Sequence, residues 1–353
     1  MRICFFGNFT KGGTEKATFL LANELSKLHK YKIFVLNASF TTTFYLNENI
    51  TYSSLFYKHS KITLAKKNFE VFKYLKKNCI DVIISIEALT GLSAIIPSKL
   101  SNVKLIIAEH ANYYQKQGSK WIQYIRQLEL VISNYYIVLT KRDLRNFKRN
   151  FKIIVPITYI YNIKEEVKDV KYNLNSKKII SAGHIRPIKN FSIIPDVASI
   201  VFEKYSDWTW EIYGECKGQE YKELKNKIKI LKLEKHVLLK GRIENMSMIY
   251  TQAAMYVLTS LHEGLPMVLL EAKAHKLPIV SFDIETGPDE IIDDKKNGFL
   301  IEFNNVEKMS NMICLLIQNP ALRKDFSNQS QLNIERFNKK IIVEKWEKVF
   351  NNI

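Results

Sequence analysis

Two glutamates stand at a spacing that can do chemistry in the segment HEGLPMVLLE, residues 262–271. Glu263 lies in a turn with Gly264 and Pro266, directly after the apolar run MYVLTS, and Glu271 lies inside the next apolar run. Pro266 suits the first position of a helix, because its missing N–H needs no partner there. The free N–H groups of such a helix start bind anions, and carboxylates beside them can accept hydrogen bonds from sugar hydroxyls. The spacing therefore predicts a site for a diphosphate with a sugar at each end, against the ordinary interpretation of two solvated glutamates.

A second loop repeats this geometry where the apolar run PIVSFD continues into IETGPDEII. Gly287 and Pro288 predict a turn, and Asp289 and Glu290 open a helix whose start is expected at the same ligand. Acids in a first helical turn are also favoured by the helix dipole alone. At least one of the two acids is therefore expected to be an ordinary first-turn residue.

The segment GNFTKGGTEKATF joins the first apolar run to the first helical stretch. Gly12 and Gly13 allow the backbone to approach a ligand closely, and Thr14 is predicted to cap the helix. The segment has neither a GxGxxG nor a Walker A pattern. That disfavours binding of NAD and hydrolysis of ATP.

A histidine and two cations follow other apolar runs at their carboxyl ends. His110 comes directly after VKLIIAE, and Arg186 and Lys189 come shortly after KIISAG. A histidine at a strand end can orient or polarise a substrate, and a Lys or Arg there can neutralise a phosphate as a bond breaks. A lone histidine is more often structural, and the two cations can equally be solvated residues of a basic protein.

The elements that must position these residues follow a β-α-β rhythm. RICFFG, KIFVLN and DVIISI alternate with amphipathic stretches, and the rhythm restarts with five strands, KIISAG, TWEIYG, HVLLKG, MYVLTS and PIVSFD. Buried strands without strict polar alternation indicate parallel sheets covered by helices. Ligands of such sheets bind beyond the carboxyl ends of the strands. We therefore expect an α/β protein with two Rossmann-like, doubly wound domains facing a central cleft.

The domain boundaries follow from charge and periodicity. A first domain is expected over 1–162 and a second over 177–335, with the charged stretch 163–176 as the linker. The amphipathic segment 336–353 predicts a helix that packs back toward the first domain. No uncharged apolar stretch approaches the ~18 residues that span a bilayer.

The net charge of +18 indicates a partner of negative charge. The segment 61–77, KITLAKKNFEVFKYLKK, combines six lysines with apolar residues at helical spacing. Those apolar residues are Ile62, Ala65, Phe69, Phe72 and Leu75. The segment is interpreted either as a core-facing helix with a solvated basic face or as a helix resting on anionic lipid. Nucleic acid would also suit the charge, but no nucleic-acid-binding motif occurs, so none is expected as a partner.

Taken together, these motifs resemble those of the retaining glycosyltransferases of family 4, which have the GT-B fold. EGLPMVLLE fits the E-x7-E motif of that family, GGTE resembles its early glycine loop, and AEH resembles the segment that carries its cleft histidine. IYNI resembles the junction before the second domain, and FDIETGPDEII resembles the group that often uses UDP-sugars. The resemblance covers nearly the whole chain in order.

The resemblance implies a role for each candidate residue. Glu263 would lie near the donor sugar, Lys189 would bind the diphosphate, and His110 would contact the sugar near the reaction centre; these three form the expected catalytic set. Glu271 would bind the nucleotide ribose. The remaining donor-binding residues would be Gly13, His184, Arg186, Gly264, Leu265, Pro266, Met267 and Val268. The family usually has Arg directly after the residue matching Gly183, where this chain has His184; Arg186 is the other candidate for that role. The family uses no metal, and no cofactor is expected.

The function implied is transfer of a hexose or N-acetylhexosamine, with retention of anomeric configuration, from a nucleotide-sugar. UDP is the expected nucleotide, and a lipid-linked glycan for the bacterial surface is the expected acceptor. The protein would lie in the cytoplasm, peripheral on the inner face of an anionic cytoplasmic membrane. Two alternatives stay open: a non-catalytic GT-B subunit that binds a partner or acceptor, and a nucleotide-sugar epimerase or phosphorylase on the same fold.

Overall fold

The computed structural model describes residues 1–9, 12–38, 45–55, 63–115 and 119–353. They form two compact units. The first contains Met1–Ile163 and Glu335–Ile353, and the second contains Lys164–Ile334.

The described part of the first unit contains a seven-stranded sheet in the order β3-β2-β1-β4-β5-β6-β7. Every neighbouring pair is parallel. The strands are β1 (Arg2–Gly7), β2 (Lys32–Asn37), β3 (Thr51–Ser54), β4 (Val82–Ile86), β5 (Lys104–Glu109), β6 (Tyr135–Val138) and β7 (Ile157–Tyr159). The helices are α1 (Gly13–Ser26), α2 (Leu64–Lys77), α3 (Ala88–Ser101), α4 (Ile122–Ile132), α5 (Lys141–Asn150) and, at the end of the chain, α12 (Lys339–Asn351).

The second unit contains a six-stranded parallel sheet in the order β10-β9-β8-β11-β12-β13. The strands are β8 (Lys178–Ala182), β9 (Thr209–Tyr213), β10 (Val237–Gly241), β11 (Met255–Leu258), β12 (Ile279–Asp283) and β13 (Gly298–Glu302). The helices are α6 (Ile194–Lys204), α7 (Gln219–Ile230), α8 (Met246–Gln252), α9 (Met267–Ala274), α10 (Val306–Gln318) and α11 (Pro320–Gln329). Short 3-10 turns occupy Pro187–Lys189, Phe191–Ile193, Pro288–Glu290 and Ile334–Phe337.

The doubly wound topology predicted from the sequence is confirmed in both units. Central strands such as β4 and β11 are buried along their whole length, as expected for parallel strands covered on both faces. The predicted strand count is wrong in detail, because β3, β7 and β13 were not among the predicted strands. The first two are short, with three or four residues each, and none of their residues is fully buried. They therefore lack the apolar run that marks a buried strand.

The order of each sheet reverses at one place. In the first sheet the reversal falls between β1 and β4, and in the second it falls between β8 and β11. Loops leaving the carboxyl ends of two such strands diverge to opposite faces and leave a crevice where ligands bind. These two places position the candidate residues.

The stretch predicted as a linker, 163–176, differs in the structure, because residues 164–176 belong to the second unit. The Tyr172 hydroxyl donates to the Ala254 carbonyl at 2.6 Å, and the Ser176 hydroxyl donates to the Gln252 carbonyl at 2.6 Å. Polar side chains thus tie the segment to the unit, although its charged composition suggested a free connection. The last segment returns to the first unit, where the rings of Tyr31 and Phe350 meet at 5.5 Å.

Helix α2 begins at Leu64, so Ile62 and the start of the predicted helix lie outside the described residues. Its inward face agrees with the predicted one at Leu75 and at half-buried Phe72, but differs at Ala65 and Phe69. Asn68, Val71 and Leu75 are buried, whereas Ala65 and Phe69 are exposed. The Lys73 ammonium lies over the Phe69 ring, 4.4 Å from its centroid. An exposed aromatic thus joins the basic face of this helix.

Candidate functional site

The loops at the switch point of the second sheet bring Lys189 and Glu263 together. Lys189 ends the turn after β8, and Glu263 lies in the loop after β11. The Lys189 Nζ atom lies 2.6 Å from Glu263 Oε1, and the Ser260 hydroxyl donates to the same oxygen at 2.6 Å. Both charged side chains are largely buried. Glu263 is therefore a held carboxylate rather than a solvated turn residue.

Backbone contacts fix the two loops against each other. The Leu261 N–H donates to the Ile188 carbonyl at 2.8 Å, and the Thr259 hydroxyl donates to the Lys189 carbonyl at 2.9 Å. The aliphatic part of the Lys189 side chain packs over Gly183. A Cβ atom on Gly183 would lie 3.4 Å from Lys189 Cε. The cation consequently has a defined position before any ligand arrives.

Helix α9 provides the helix start at which the anion site is predicted. It starts at Met267, with Pro266 as the N-cap rather than the first helical residue, one position later than predicted. The first N–H groups of a helix have no intrahelical acceptor and carry the positive end of its dipole. Gly264, Leu265, Pro266 and Met267 are buried, and Val268 is half-buried.

The second predicted loop packs directly behind this helix start. The Thr286 hydroxyl donates to the Glu263 carbonyl at 2.6 Å. Gly287 has φ 103°. A Cβ atom there would lie 2.7 Å from the Gly264 carbonyl oxygen and 2.7 Å from Pro266 Cδ. Gly287 is therefore required by both its dihedral angle and the close approach of the two loops.

Glu271, on α9, is held by a tyrosine that the sequence analysis missed. The buried Tyr250 hydroxyl donates to Glu271 Oε2 at 2.8 Å. Burial and the Glu271 charge raise the pKa of Tyr250 well above its usual value, so it stays a donor. The Tyr250 ring stacks on His275 at 5.0 Å, and His275 is fixed by Ser247 at 2.6 Å. Only tertiary structure brings α8 beside α9, so spacing could not reveal this contact.

The two candidates for the phosphate-binding arginine position differ in burial. His184 is half-buried, and Arg186 is exposed at the start of the turn that ends in Lys189. His184 contributes, after Lys217, to the positive field that lowers the pKa of Glu215.

In the first unit, His110 lies at the carboxyl end of β5 as predicted. It is half-buried and lines a cavity with Ile86, Thr18, Tyr161 and Asn162 among others. Burial lowers the pKa of its imidazole to about 4. The ring is therefore neutral near pH 7, so one of its nitrogens can donate a hydrogen bond and the other can accept one.

A buried ion pair fixes the loop that carries His110. Arg126 donates to Glu109 Oε2 at 2.9 Å, and both side chains are fully buried. The same guanidinium donates to the carbonyls of Asn112 at 3.1 Å and Tyr113 at 2.8 Å. In the sequence, this ion pair is marked by the position of Arg126 among the apolar residues of IQYIRQLEL.

Gly13 begins α1 at the switch point of the first sheet, and it is exposed. The prediction that Thr14 caps this helix is wrong. Gly12 is the N-cap in an extended conformation and provides no side-chain cap, so the helix starts one residue before Thr14. The Thr14 hydroxyl instead lies 3.5 Å from Glu87 Oε1.

The described residues contain no group of three or more His, Cys, Asp or Glu side chains arranged to hold a metal ion. Within the same part of the chain, no helix is both long and apolar enough to cross a bilayer.

Comparison with known proteins identifies relatives over the whole chain. Residues 162–332 match the family described as glycosyl transferases group 1. An uncharacterized glycosyltransferase of Haemophilus influenzae is 30% identical over 95% of both chains. The amylovoran biosynthesis glycosyltransferase AmsD of Erwinia amylovora is 28% identical over 98% of this chain and 97% of its own. An α-1,4-N-acetyl-D-galactosaminyltransferase of Campylobacter jejuni, named for a GalNAc-GalNAc-diNAcBac-PP-undecaprenol substrate, is 25% identical over 100% of this chain and 99% of its own.

Solved structures share the architecture. HepE of Anabaena, in complex with UDP and glucose, superposes with a TM-score of 0.84 over 100% of both chains at 16% identity. A mutant of Staphylococcus aureus TarM in complex with UDP, Fondaparinux and alpha-GlcNAc-glycerol superposes with a TM-score of 0.82, over 99% of this chain and 100% of its own, at 18% identity. These likenesses establish the GT-B fold.

Proposed function

Because the chain belongs to the group 1 glycosyltransferases, we propose that it transfers a hexose or N-acetylhexosamine from a UDP-sugar to a lipid-linked glycan, in the assembly of a bacterial surface glycan. The observation that carries this proposal is the Lys189–Glu263 pair at 2.6 Å beside the start of α9. A cation, a helix start and a held carboxylate together match the needs of a sugar diphosphate.

In this proposal the leaving UDP is stabilised by the protein's own charges. As the bond between the anomeric carbon and the diphosphate oxygen breaks, negative charge develops on that oxygen. Lys189 and the N–H groups at the start of α9 face this charge and lower the barrier without a divalent metal. Glu263 accepts hydrogen bonds from the donor sugar, and Glu271, oriented by Tyr250, accepts them from the ribose.

The acceptor hydroxyl attacks on the face that UDP leaves, so that the anomeric configuration is retained, and its proton passes to the departing diphosphate. Neutral His110, in the first unit, orients the sugar. UDP is proposed as the nucleotide because solved proteins of this fold were crystallised with it. The lipid-linked acceptor is proposed because the Campylobacter relative is named for one.

An exposed face of the first unit supports a membrane as the place of action. Trp121 and Tyr124 are 67% and 69% exposed, and their rings meet at 5.4 Å. Leu128 and Val131 continue the same stripe of α4. We call these four residues the α4 stripe. Adjacent α3 adds exposed Ile96 and Leu100.

The charges around the α4 stripe favour an anionic bilayer over another protein. Helices α2, α3 and α4 pack in that order, and together with the loop before α4 they carry the exposed cations Lys66, Lys73, Lys76, Lys77, Lys99 and Lys120. The acids of those helices are Glu70, which is half-buried, and Glu129, which is fully buried. Aromatic and aliphatic side chains flanked by lysines suit the boundary between head groups and acyl chains.

Vesicle sedimentation tests the membrane contact without any substrate. The protein should pellet with vesicles of phosphatidylglycerol and phosphatidylethanolamine and stay in solution with phosphatidylcholine alone. Replacing Trp121 and Tyr124 together with Ala should abolish pelleting. Ile230→Ala, at a position 68% exposed in the second unit, serves as the matched control. If the double variant still pellets with the vesicles, the α4 stripe is not the surface that binds the membrane.

A transfer assay tests the reaction itself. Purified protein is incubated with UDP-glucose, UDP-galactose or their N-acetylated forms and with undecaprenyl-diphosphate-linked N-acetylglucosamine. We expect one donor to elongate the lipid, with the α-anomer retained in the product. Glu263→Gln should reduce transfer by roughly 10²-fold or more while the melting temperature is kept. Glu302→Gln, at an exposed carboxylate at the end of β13, is the control.

Other outcomes of this assay identify the alternatives. Turnover that needs inorganic phosphate but no acceptor would indicate a phosphorylase, and an altered sugar on UDP would indicate an epimerase. Acceptor or partner binding with no turnover for any donor would indicate a non-catalytic subunit.

A further inference from the structure

Glu87 lies at the switch point of the first sheet, where α1 also begins, and has no role in the function proposed so far. It follows β4 directly, between the loop leaving β1 and the loop leaving β5. The register pairs Ile86 with Ala108, so Glu87 stands beside Glu109 and one position before His110. Crevices at switch points are where doubly wound sheets bind their ligands.

The backbone of Glu87 has a conformation that side chains rarely adopt. Its φ is 68° and its ψ is 148°, in a region occupied almost only by glycine. The fold holds it there through its N–H, which donates to the Ala108 carbonyl at 3.0 Å, and through its carbonyl, which accepts from the Gly91 N–H at 3.1 Å. Glycine would satisfy the same hydrogen bonds without strain. A glutamate at this position indicates that the side chain itself is needed.

The surroundings of the carboxyl group suit a polar ligand. The side chain is half-buried, and Oε1 lies 3.5 Å from the Thr14 hydroxyl in the first turn of α1. Burial and the nearby Glu109 charge raise the pKa of Glu87 to about 7, while Thr14 and the Arg126 guanidinium lower it. These groups face Glu87 from α1, β5 and α4. The carboxyl group therefore changes charge in the physiological range rather than serving as a permanent surface ion.

We propose that Glu87 is the acceptor-orienting carboxylate of the first unit: it accepts a hydrogen bond from a hydroxyl of the acceptor sugar next to the attacking one, between Thr14 at the start of α1 and the carboxyl end of β5. This inference rests on the proposed function and names the residue that holds its second substrate. Glu87 forms no covalent bond and takes no proton in this role, and the proton of the attacking hydroxyl still leaves with the diphosphate. The ionised form is the productive one, so transfer should rise with pH as Glu87 loses its proton.

The test compares Glu87→Gln with wild type in the transfer assay and in thermal unfolding with UDP. Gln keeps the shape but is never ionised. We expect transfer to fall roughly ten- to hundredfold, the loss of one hydrogen bond to a charged group, while the UDP-induced midpoint shift is unchanged. The increase of wild-type activity between pH 6 and 8 should disappear in this variant. Glu48→Gln, at an exposed carboxylate of the same unit, is the control.

A second variant separates function from structure. Glu87→Gly relieves the strained dihedral angles, so its melting temperature should equal or exceed that of wild type while transfer is lost. A clearly lower melting temperature for Glu87→Gly, or transfer by Glu87→Gln at the wild-type rate with the same pH profile, would overturn the proposal. If wild type binds UDP but transfers no sugar, the proposed function is wrong, and the role of Glu87 needs a separate test. Binding of the undecaprenyl-diphosphate-linked sugar then decides: equal affinity in wild type and Glu87→Gln overturns the role of Glu87, and weaker binding in the variant supports it.

Discussion

Lys189 Nζ and Glu263 Oε1 are 2.6 Å apart at the switch point of the second sheet. The two residues are 74 positions apart in the sequence, on the loops that follow the neighbouring strands β8 and β11. In the proposed function, a diphosphate that binds Lys189 shares this cation with Glu263, and the carboxylate can then accept hydrogen bonds from the donor sugar. The Lys189–Glu263 pair can thus hold both side chains in place before a ligand binds and offer the ligand one positive and one negative group.

Replacing Lys189 should reduce transfer more than replacing Arg186. Lys189→Met removes the held cation, and we expect transfer to fall roughly 10²- to 10³-fold, as for loss of one group that stabilises the leaving charge. Arg186→Met should have a smaller effect, because Arg186 is exposed. Initial rates at saturating donor measure the difference. A larger loss in Arg186→Met would show that the exposed arginine, and not the held lysine, carries the diphosphate.

The Tyr250 hydroxyl should control nucleotide affinity through Glu271. Tyr250→Phe keeps the ring stacked on His275 but removes the donor to Glu271 Oε2. We expect UDP to bind roughly tenfold more weakly, the effect of one hydrogen bond to a charged group. Titration calorimetry with UDP gives the affinity. Tyr172→Phe, which loses a hydroxyl bonded to the Ala254 carbonyl, should lower stability without changing UDP affinity; equal losses in both variants would contradict the role of Tyr250.

His110 should make the protein less stable in acid. Its pKa is about 4 in the folded chain against 6.5 as the ordinary value. Between these values the unfolded chain binds a proton that the folded chain does not, so the free energy of unfolding falls as pH drops from 6.5 toward 4. His110→Gln should flatten that fall, whereas His29→Gln, at an exposed position, should not. Urea unfolding at pH 7.5 and pH 5 measures the effect, and parallel curves for wild type and His110→Gln would refute it.

The Arg126–Glu109 pair should be necessary for the stability of the first unit. Arg126→Met leaves the Glu109 charge buried and removes the donors to the Asn112 and Tyr113 carbonyls. Breaking a buried pair in this way typically costs about 3–5 kcal/mol. Chemical denaturation should show that loss, while Arg149→Met, at an exposed position of α5, should stay within about 0.5 kcal/mol of wild type. Near-equal stabilities would mean that Glu109 is accommodated by other groups.

Much of the fold could be predicted from local patterns. Buried parallel strands are continuous apolar runs, so β1, β4 and β11 stand out, and the Gly264–Pro266 turn between a strand and α9 marks the loop proposed to bind the donor. Short strands such as β3 and β7 lack that signal because they are not fully buried. The predicted N-cap of α1 is wrong, because Gly12, in an extended conformation, is the N-cap and Thr14 is not.

The contacts that hold the site could not be predicted in the same way. Tyr250 reaches Glu271 only because α8 packs beside α9, and the strained backbone of Glu87 depends on hydrogen bonds to Ala108 and Gly91. Neither follows from residue spacing along one element. Side chains that orient a predicted site residue generally come from another element, so they become visible only once the sheets are assembled.

Thermal unfolding with UDP tests the central claim most directly. Wild type and Glu271→Ala are melted with UDP, GDP, ADP, CMP and TDP in turn. A ligand at about 100 times its dissociation constant adds about 2.7 kcal/mol of stability, which corresponds to a midpoint shift of roughly 5–10 °C. The account predicts such a shift for wild type with UDP and its loss in Glu271→Ala. No shift with any nucleotide, or an undiminished UDP shift in Glu271→Ala, would contradict it.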